Sequence, residues 1–480
     1  MLKQLIPVTE DGKMKLAAVL FFFILLILRL TASTTHDEGD SVMHYLFART
    51  AFIHPEHFFN QWAKPIYVLV MAPFAQFGFL GVQIVNLFLT AFNFWMTYQF
   101  AKHLQIPNAW VASFLFASIP VSLLVAFSGL TEPLFVALLM TGLVFLMKNK
   151  FYLSLILISF LPFVRSEGLV ICGVVFVYLI IIEQYEKLPL LITGHIVYSI
   201  AGYFVYHDFF WMFNKLSYAT LSSAYGSGNW MHFIQKMPEI GGYVISLLLF
   251  AGMFYGFTLL IRYVRKKTSS IEQKEIWLLY GIFTAFFLAH MAFWALGIFN
   301  SMGLLRPIAG IAPLMAIICL QGINYLSAVF KPWKFSRYVP YFFLTIAILF
   351  PFTGNVYAYK WQRDFILKAD QRAQLEMAVY IKKQFPDYKQ FRFYYEPGWI
   401  ALQLNQDFFN DEEHMRINGA FERNQFKSGE FLIWDDWFAV VEANAKWENM
   451  IKDDRFELIK EFTAVDYWGV KRRTVLFRYK

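Results

Sequence analysis

The stretch LAAVLFFFILLILRL fills residues 16–30, and HDEGD follows five residues later, at residues 36–40. A membrane-spanning helix needs about 20 mostly apolar residues, so residues 14–33 predict a first span that ends just before a cluster of acids. Lys13 and Lys15 precede the apolar run, but no small-residue cleavage site follows it, which predicts an uncleaved helix rather than a signal peptide.

Similar apolar runs recur along most of the chain. The composition is 58% hydrophobic, 20% aromatic and 16% charged, whereas soluble domains carry about 25% charged residues. About 11 segments are candidate spans: residues 14–33, 82–101, 108–128, 130–147, 151–165, 167–184, 188–206, 241–264, 276–297, 308–328 and 338–354. The predicted fold class is therefore mostly α, a polytopic transmembrane helical bundle.

The last quarter of the chain has a different character. Residues 1–354 contain 22 Lys/Arg and 14 Asp/Glu, whereas residues 355–480 contain 20 of each, so the formal charge of +8 lies in the apolar part. Alternating helical and strand-like patterns after residue 355 predict a small α/β domain. We therefore predict a membrane domain at 1–354 and a second domain at 355–480. A basic excess confined to membrane loops indicates topology rather than nucleic-acid binding.

The distribution of basic residues predicts the orientation. With the N-terminus in the cytoplasm, the inner loops hold about 15 Lys/Arg and the outer loops about six, which is the positive-inside pattern. An odd number of spans then places the C-terminal domain outside the cytoplasm. The predicted location is a bacterial inner membrane, although an endoplasmic reticulum membrane would give the same topology.

The HDEGD motif is the first candidate site. Asp37, Glu38 and Asp40 place three carboxylates at the outer mouth of a membrane helix, where ionisable groups are costly and commonly functional. A carboxylate there can accept a proton from a hydroxyl nucleophile. Oxygen ligands also suit Mg²⁺ or Mn²⁺, so the binding of a divalent cation at these carboxylates is an open alternative. The structural alternative is a solvated loop that caps the next helix.

Three further motifs fall on the same predicted face. Thr131-Glu132-Pro133 lies in an outer turn, where Pro and an acid also make a good helix start. Arg165-Ser166-Glu167 suits either an internal ion pair or a phosphate contact. Arg306-Pro307 begins a later span, where the alternative is an arginine whose charged end reaches the headgroups.

In this order, the four motifs resemble the GT-C superfamily of membrane glycosyltransferases, which use a polyprenyl-phosphate sugar. His36-Asp37-Glu38 is similar to the acidic loop signature of that superfamily, and Thr131-Glu132-Pro133 to the Ser/Thr-Glu-Pro turn of its mannosyltransferase-like branches. Arg165-Ser166-Glu167-Gly168 resembles an Arg-Pro-Glu-Gly segment, with Ser166 in place of Pro. Arg306 resembles the late-span arginine that approaches the donor phosphate. The likeness covers nearly the whole chain and implies amphipathic helices in the outer loops.

The resemblance implies inverting transfer of a sugar from a polyprenyl-phosphate donor to a glycan, lipid or protein acceptor at the extracytoplasmic face of the bilayer. Asp37 would be the base, with Glu38 or Asp40 positioning the acceptor. The implied substrate-binding residues are His36, Glu132, Arg165, Glu167 and Arg306. The resemblance favours a reaction without a metal or other cofactor.

Two other classes of function stay open. A flippase or transporter of a lipid-linked saccharide would also need outer arginines and acids, but would favour ionisable groups at mid-membrane and repeat symmetry. A non-catalytic membrane assembly protein would tolerate changes to the outer acids.

Overall fold

The computed structural model describes residues 9–37, 39–215, 223, 225–332, 338–353 and 360–480. Helices make up the membrane part: α1 Glu10–Thr31, α2 Asp40–Thr50, α3 Pro65–Ala75, α4 Phe79–His103, α5 Trp110–Ala117, α6 Pro120–Ala126, α7 Glu132–Met147, α8 Phe151–Ser159, α9 Gly168–Ile181, α10 Thr193–Tyr206, α11 Trp211–Asn214, α12 His232–Gln235, α13 Met237–Val264, α14 Ser270–Lys274, α15 Ile282–Leu296, α16 Ala312–Val329 and α17 Val339–Leu349. Tighter or wider helical turns join some of them: 3₁₀ turns at Pro55–Phe59, Leu161–Phe163, Tyr185–Ile192, Arg306–Ile311 and Phe350–Phe352, and a π turn at Glu275–Gly281.

Six helical segments of the described chain are long and apolar enough to cross a membrane: Glu10–Thr31, Phe79–His103, Tyr185–Tyr206, Met237–Val264, Ser270–Leu296 and Arg306–Val329. Five shorter apolar helices accompany them: Pro65–Ala75, Glu132–Met147, Phe151–Phe163, Gly168–Ile181 and Val339–Phe352. These segments make the chain an integral membrane protein and confirm the predicted polytopic helical fold.

One predicted span is not continuous. Residues 108–128 form two short helices, α5 and α6, because Pro120 begins the second and Ile119 before it is extended, with φ −77° and ψ 115°. A residue that precedes proline is disfavoured in the helical region. The second helix, α6, ends at Ala126, six residues before Glu132.

The C-terminal part is a small α/β unit, as predicted. Its helices are α18 Trp361–Asp364, α19 Ala369–Gln384, α20 Gly398–Leu404, α21 Ile417–Arg423, α22 Phe438–Val441 and α23 Trp447–Met450. Its strands are β1 Phe393–Tyr394, β2 His414–Met415, β3 Phe431–Asp435, β4 Phe456–Val465 and β5 Lys471–Tyr479, with a 3₁₀ turn at Tyr388–Gln390. The sheet order is β2-β1-β3-β5-β4; β1 is parallel to both β2 and β3, and β5 is antiparallel to β3 and β4.

This sheet domain is attached to one end of the helical bundle, called here the domain-side end. Ser33 N–H donates to the Phe365 carbonyl at 3.1 Å, and the Gln371 side chain donates to Thr35 Oγ1 at 2.8 Å. Gly398 lies against Met43 of α2, where an added Cβ would come within 2.7 Å of its sulfur. The domain therefore contacts the loop that carries the HDEGD motif. The predicted boundary at 354/355 falls outside the described residues.

Candidate functional site

The acidic loop and the late arginine meet at the domain-side end of the bundle. Asp37 lies in the loop after α1, and Asp40 is the first residue of α2. The guanidinium of Arg306 contacts both carboxylates, one through Nη1 and the other through Nη2. Asp37 and Arg306 are mostly buried, with 20% and 19% of their side-chain surfaces exposed. Glu38 lies outside the described residues.

The turn before Glu132 is fixed against the same loop. The Ser41 hydroxyl accepts a hydrogen bond from Gly129 N–H at 2.6 Å, and the Tyr67 hydroxyl donates to the Gly129 carbonyl. A Cβ at position 129 would lie 2.6 Å from the Ser41 carbonyl oxygen. Only glycine permits this close approach, so the second predicted motif is held directly beside the first.

Arg165 connects the second and third motifs. Its Nη1 lies 2.7 Å from Glu132 Oε1, and its Nη2 lies 2.8 Å from Glu167 Oε1. Glu132 is 1% exposed. His290 of α15 faces the same cluster, with Nε2 3.6 Å from Glu167 Oε1. Burying one cation between two carboxylates is costly unless the charges are paired, and these contacts provide that pairing.

Lys64 is a site residue that the sequence did not single out. Its ammonium donates to the Ser166 hydroxyl at 3.0 Å, and its backbone has φ 67° and ψ 100° just before Pro65. A non-glycine residue with positive φ is uncommon, and such strain is concentrated at functional sites. The available signal was a cation directly before Pro65 at the start of an apolar helix.

The two clusters share one electrostatic environment. Burial raises the pKa of Asp40 to about 6, the Glu132 charge adds to the rise, and Arg165 and Lys64 oppose it. The exposed surface of Asp40, 46% of its side chain, borders a cavity. Burial lowers the pKa of Lys64 to about 8.

Several buried polar atoms in the Arg165 cluster have no hydrogen-bond partner within the described chain, among them Glu132 Oε2, Arg165 Nε and His290 Nε2. Buried polar atoms of this kind are normally satisfied. The cluster thus retains hydrogen-bonding capacity. Three cations lie in this region: Lys64 and Arg165 in the cluster, and Arg306 beside it.

His36 is the predicted site residue that the structure places apart from the charged clusters. Its ring packs against Phe127 and Phe365, with ring centroids 5.6 Å away in each case. Burial lowers its pKa to about 3, so the ring is neutral near pH 7. His36 has a positive φ of 61°, and it shapes the loop that presents Asp37.

A cavity of about 610 Å³ opens between α2 and the sheet domain, with Asp40 in its wall. Trp62, Tyr225 and Phe409 contribute aromatic surface. This volume falls within the range of small-molecule sites.

The polar wall of the cavity is a network that the sequence analysis missed. Arg416 Nε lies 2.6 Å from Glu396 Oε2, and its Nη2 lies 3.7 Å from Glu442 Oε2. The Tyr225 hydroxyl donates to Glu442 Oε1 at 3.1 Å. Tyr225 and Glu442 are 217 positions apart in the sequence, and none of these residues belongs to a motif, so no sequence signal joined them.

A metal site is not evident in the described part of the chain. No group of three or more His, Cys, Asp and Glu side chains there has an arrangement that would hold a metal ion. Arg306 occupies the space between Asp37 and Asp40, so these two acids are paired with a guanidinium.

Solved structures of ArnT from Cupriavidus metallidurans share this architecture. The structure bound to undecaprenyl phosphate matches with a TM-score of 0.55 and 9% identity, covering 95% of this chain and 97% of that chain. The apo structure matches with a TM-score of 0.55, 10% identity and the same coverage. The chain therefore shares the fold of ArnT along nearly its whole length. No family model and no curated protein matches the sequence. This fold places the acidic loop, the three cations and the sheet domain in one region.

Proposed function

We propose that this protein is an inverting glycosyltransferase that uses a polyprenyl-phosphate sugar at the extracytoplasmic face of a membrane. One observation carries the proposal: Arg306 joins Asp37 and Asp40 beside the buried Arg165 cluster, within a GT-C fold. Acids that could act on an acceptor hydroxyl therefore lie next to cations that could bind a phosphate, at one end of the helical bundle. Undecaprenyl phosphate, bound in the similar ArnT structure, supports this class of donor.

In the proposed reaction Asp37 is the general base. Its Oδ1 accepts the Ser41 N–H at 3.4 Å while Oδ2 contacts Arg306, so its orientation is fixed. Asp37 takes the proton of the acceptor hydroxyl, and the acceptor oxygen attacks the anomeric carbon. The bond from that carbon to the phosphate oxygen breaks, and its electron pair leaves with polyprenyl phosphate. The configuration at carbon inverts.

The cations stabilise the departing phosphate. Arg306 contacts two acids in the structure, and in the proposed reaction it turns toward the phosphate of the donor. Lys64 and Arg165 contribute further positive charge nearby. Preorganised cations aimed at the charge of the leaving group account for much of the rate enhancement at such sites, and phosphate leaves without a proton donor.

The cavity beside Asp40 is the proposed acceptor site. Its aromatic rings and its Glu396–Arg416–Glu442 network provide apolar faces and hydrogen-bonding groups. This combination suits a saccharide, whose ring faces are apolar and whose edges carry hydroxyls. Asp40 lines the cavity, so it is placed to position the acceptor hydroxyl for Asp37. The sheet domain thereby provides most of the acceptor contacts.

The raised pKa of Asp40 predicts that kcat decreases on the acid side of its pH profile. The carboxylate is the active form, so kcat with saturating donor falls as the pH drops through about 6. The Asp40→Asn variant lacks this decrease, because it has no group to protonate there. The measurement is kcat from pH 5 to 8 for both proteins; an unchanged decrease in Asp40→Asn would assign it to another group.

Glu442→Gln is expected to raise the KM for acceptor about 10-fold, with kcat changed less. The substitution weakens charge-assisted hydrogen bonds on the cavity wall, and bonds of that kind contribute about 1.5–3 kcal/mol. Steady-state kinetics with varied acceptor test it. Glu448→Gln, a substitution of the same type at an exposed position of α23, is the control and should match wild type. A larger effect on kcat than on KM would place Glu442 outside acceptor binding.

The direct test is transfer by the purified chain reconstituted in lipid. A panel of polyprenyl-phosphate sugars, beginning with mannose because of the Thr131-Glu132-Pro133 motif, is offered with saccharide, lipid and peptide acceptors. Formation of a glycosylated product supports the proposal. Movement of the donor across the bilayer without any product would favour a flippase. Full function in cells of variants that lack Asp37 and Asp40 would favour a non-catalytic assembly role.

A further inference from the structure

The turn between β4 and β5 exposes an unusual apolar surface. Trp468 is 71% exposed, Val465 53%, Tyr467 51% and Val470 47%. The hairpin turn, residues 465–470, belongs to β4 at the edge of the sheet and to its neighbour β5. Four large apolar side chains in six residues are costly to leave in water, so the turn is a candidate contact surface.

The hairpin turn is rigid. Asp466 Oδ1 accepts hydrogen bonds from Trp468 N–H at 2.9 Å and Val470 N–H at 2.8 Å. Asp466 N–H donates to the Val470 carbonyl at 2.9 Å, and Gly469 supplies the positive φ of 84° that the turn needs. The apolar side chains are thus presented in a fixed arrangement, and little conformational entropy is lost when they bind.

A short stretch of chain links the turn to the domain-side end of the bundle. Lys360 Nζ is 3.5 Å from the Tyr467 hydroxyl. Five residues later, Phe365 is buried in a cluster with Leu25, Leu87 and Phe127 of the helical bundle. Five residues span at most about 18 Å, so Tyr467 is tied closely to the domain-side end of the bundle.

The sheet topology points the turn in the same direction. Asp435, at the end of β3, pairs with Thr474 near the start of β5. Phe438 follows β3 and lies beside Gly39, where an added Cβ would be 3.8 Å from its ring. The end of the sheet that carries residues 465–471 is therefore the end that faces the membrane domain, and Glu457 lies at the opposite end of β4.

We propose that the hairpin turn inserts into the headgroup layer of the bilayer, in the leaflet at the domain-side end of the bundle. Trp and Tyr prefer this layer because each has an apolar ring and a polar edge. Lys360 and Lys471 flank the aromatic rings and suit the phosphates of anionic lipids. The partner is thus a lipid surface continuous with the one around the helices.

Insertion gives the sheet domain a second attachment to the membrane. The first runs through Gln371 and Thr35 to the acidic loop, and the turn holds the far edge of the same sheet. With both attachments in place, the domain is fixed above the helical bundle. This inference does not depend on the reaction proposed above.

The test places an environment-sensitive fluorophore at Trp468→Cys and, as control, at Glu457→Cys. The two sites are about 25–30 Å apart along the hairpin. The full chain is reconstituted, one copy to each nanodisc of phosphatidylcholine and phosphatidylglycerol, with or without a headgroup-region doxyl lipid. Unsubstituted protein, with Cys172 and Cys319 inside membrane helices, gives the labelling background.

The expected result is a blue-shifted emission at position 468 that the doxyl lipid quenches severalfold more than the emission at position 457. Val470→Cys should behave like Trp468→Cys, which guards against a local effect of the label. Equal, water-like emission at both positions would overturn the proposal. Protection at 468 without quenching by lipid would also overturn it and would indicate a protein partner.

Discussion

Asp37→Asn is expected to lower kcat by about 10²–10⁴-fold, the usual contribution of a general base. The amide keeps the size of the side chain but cannot accept the proton of the acceptor hydroxyl. Arg306 still contacts Asp40 in this variant, so the site stays assembled and donor affinity should change little. The measurement is single-turnover transfer with saturating donor, together with donor binding.

Asp11→Asn is the matched control. Asp11 lies at the opposite end of α1, about 30 Å from the acidic loop at 1.5 Å per residue. It should transfer sugar at the wild-type rate. Near-normal turnover by Asp37→Asn at normal expression would remove Asp37 from the base role, and a loss confined to Asp40→Asn would move that role to Asp40.

Arg165→Gln is expected to destabilise the protein by about 3–5 kcal/mol and to abolish transfer. Removing one partner from a buried ion pair leaves an uncompensated charge, and here Glu132 and Glu167 both lose their cation. The effect is measured as the loss of thermal stability in nanodiscs.

A second substitution separates this cause from loss of packing. Adding Glu132→Gln to Arg165→Gln removes one of the two stranded carboxylates and should restore part of the stability. Arg262→Gln is the comparison, because the Arg262–Glu272 pair at 2.8 Å has an arginine side chain that is 50% exposed. Exposed pairs contribute about 0–1 kcal/mol. Equal losses in Arg165→Gln and Arg262→Gln would contradict this account.

Much of the fold followed from local pattern. Apolar runs located the membrane helices, since a bilayer requires about 20 apolar residues per span, and the change in charge after residue 354 marked the α/β unit. Pattern was least informative where a proline acts: residues 108–128 look like one span by composition, but Pro120 starts a new helix.

The candidate site was predictable in its parts. Each of Asp37, Glu132, Arg165 and Arg306 has a charge where charge is costly, and that cost made the residue visible in the sequence. Their pairing was not visible, because it depends on how α7, α9 and α16 pack. For Arg165 the sequence left both an internal ion pair and a phosphate contact open, and the structure shows the ion pair, with two carboxylates.

Site residues whose sequence surroundings are ordinary could not be found from the sequence. Lys64 sits in a polar loop by composition, and its burial arises only when α3 packs against the bundle. The cavity wall combines Tyr225 with Glu396 and Glu442, which are distant in sequence and ordinary in type. Sites formed at an interface between two parts of a chain depend on tertiary packing, which has no local signature.

The most direct measurement is the stoichiometry of transfer by the protein in nanodiscs, where no second compartment exists. Polyprenyl phosphate release and glycosylated acceptor are quantified by mass spectrometry in the same sample, and the anomeric configuration of the product is determined. We expect one polyprenyl phosphate per product, with inverted configuration, and neither species from Asp37→Asn. Tight donor binding by the wild-type protein, with no product from any donor and acceptor pair, would contradict it.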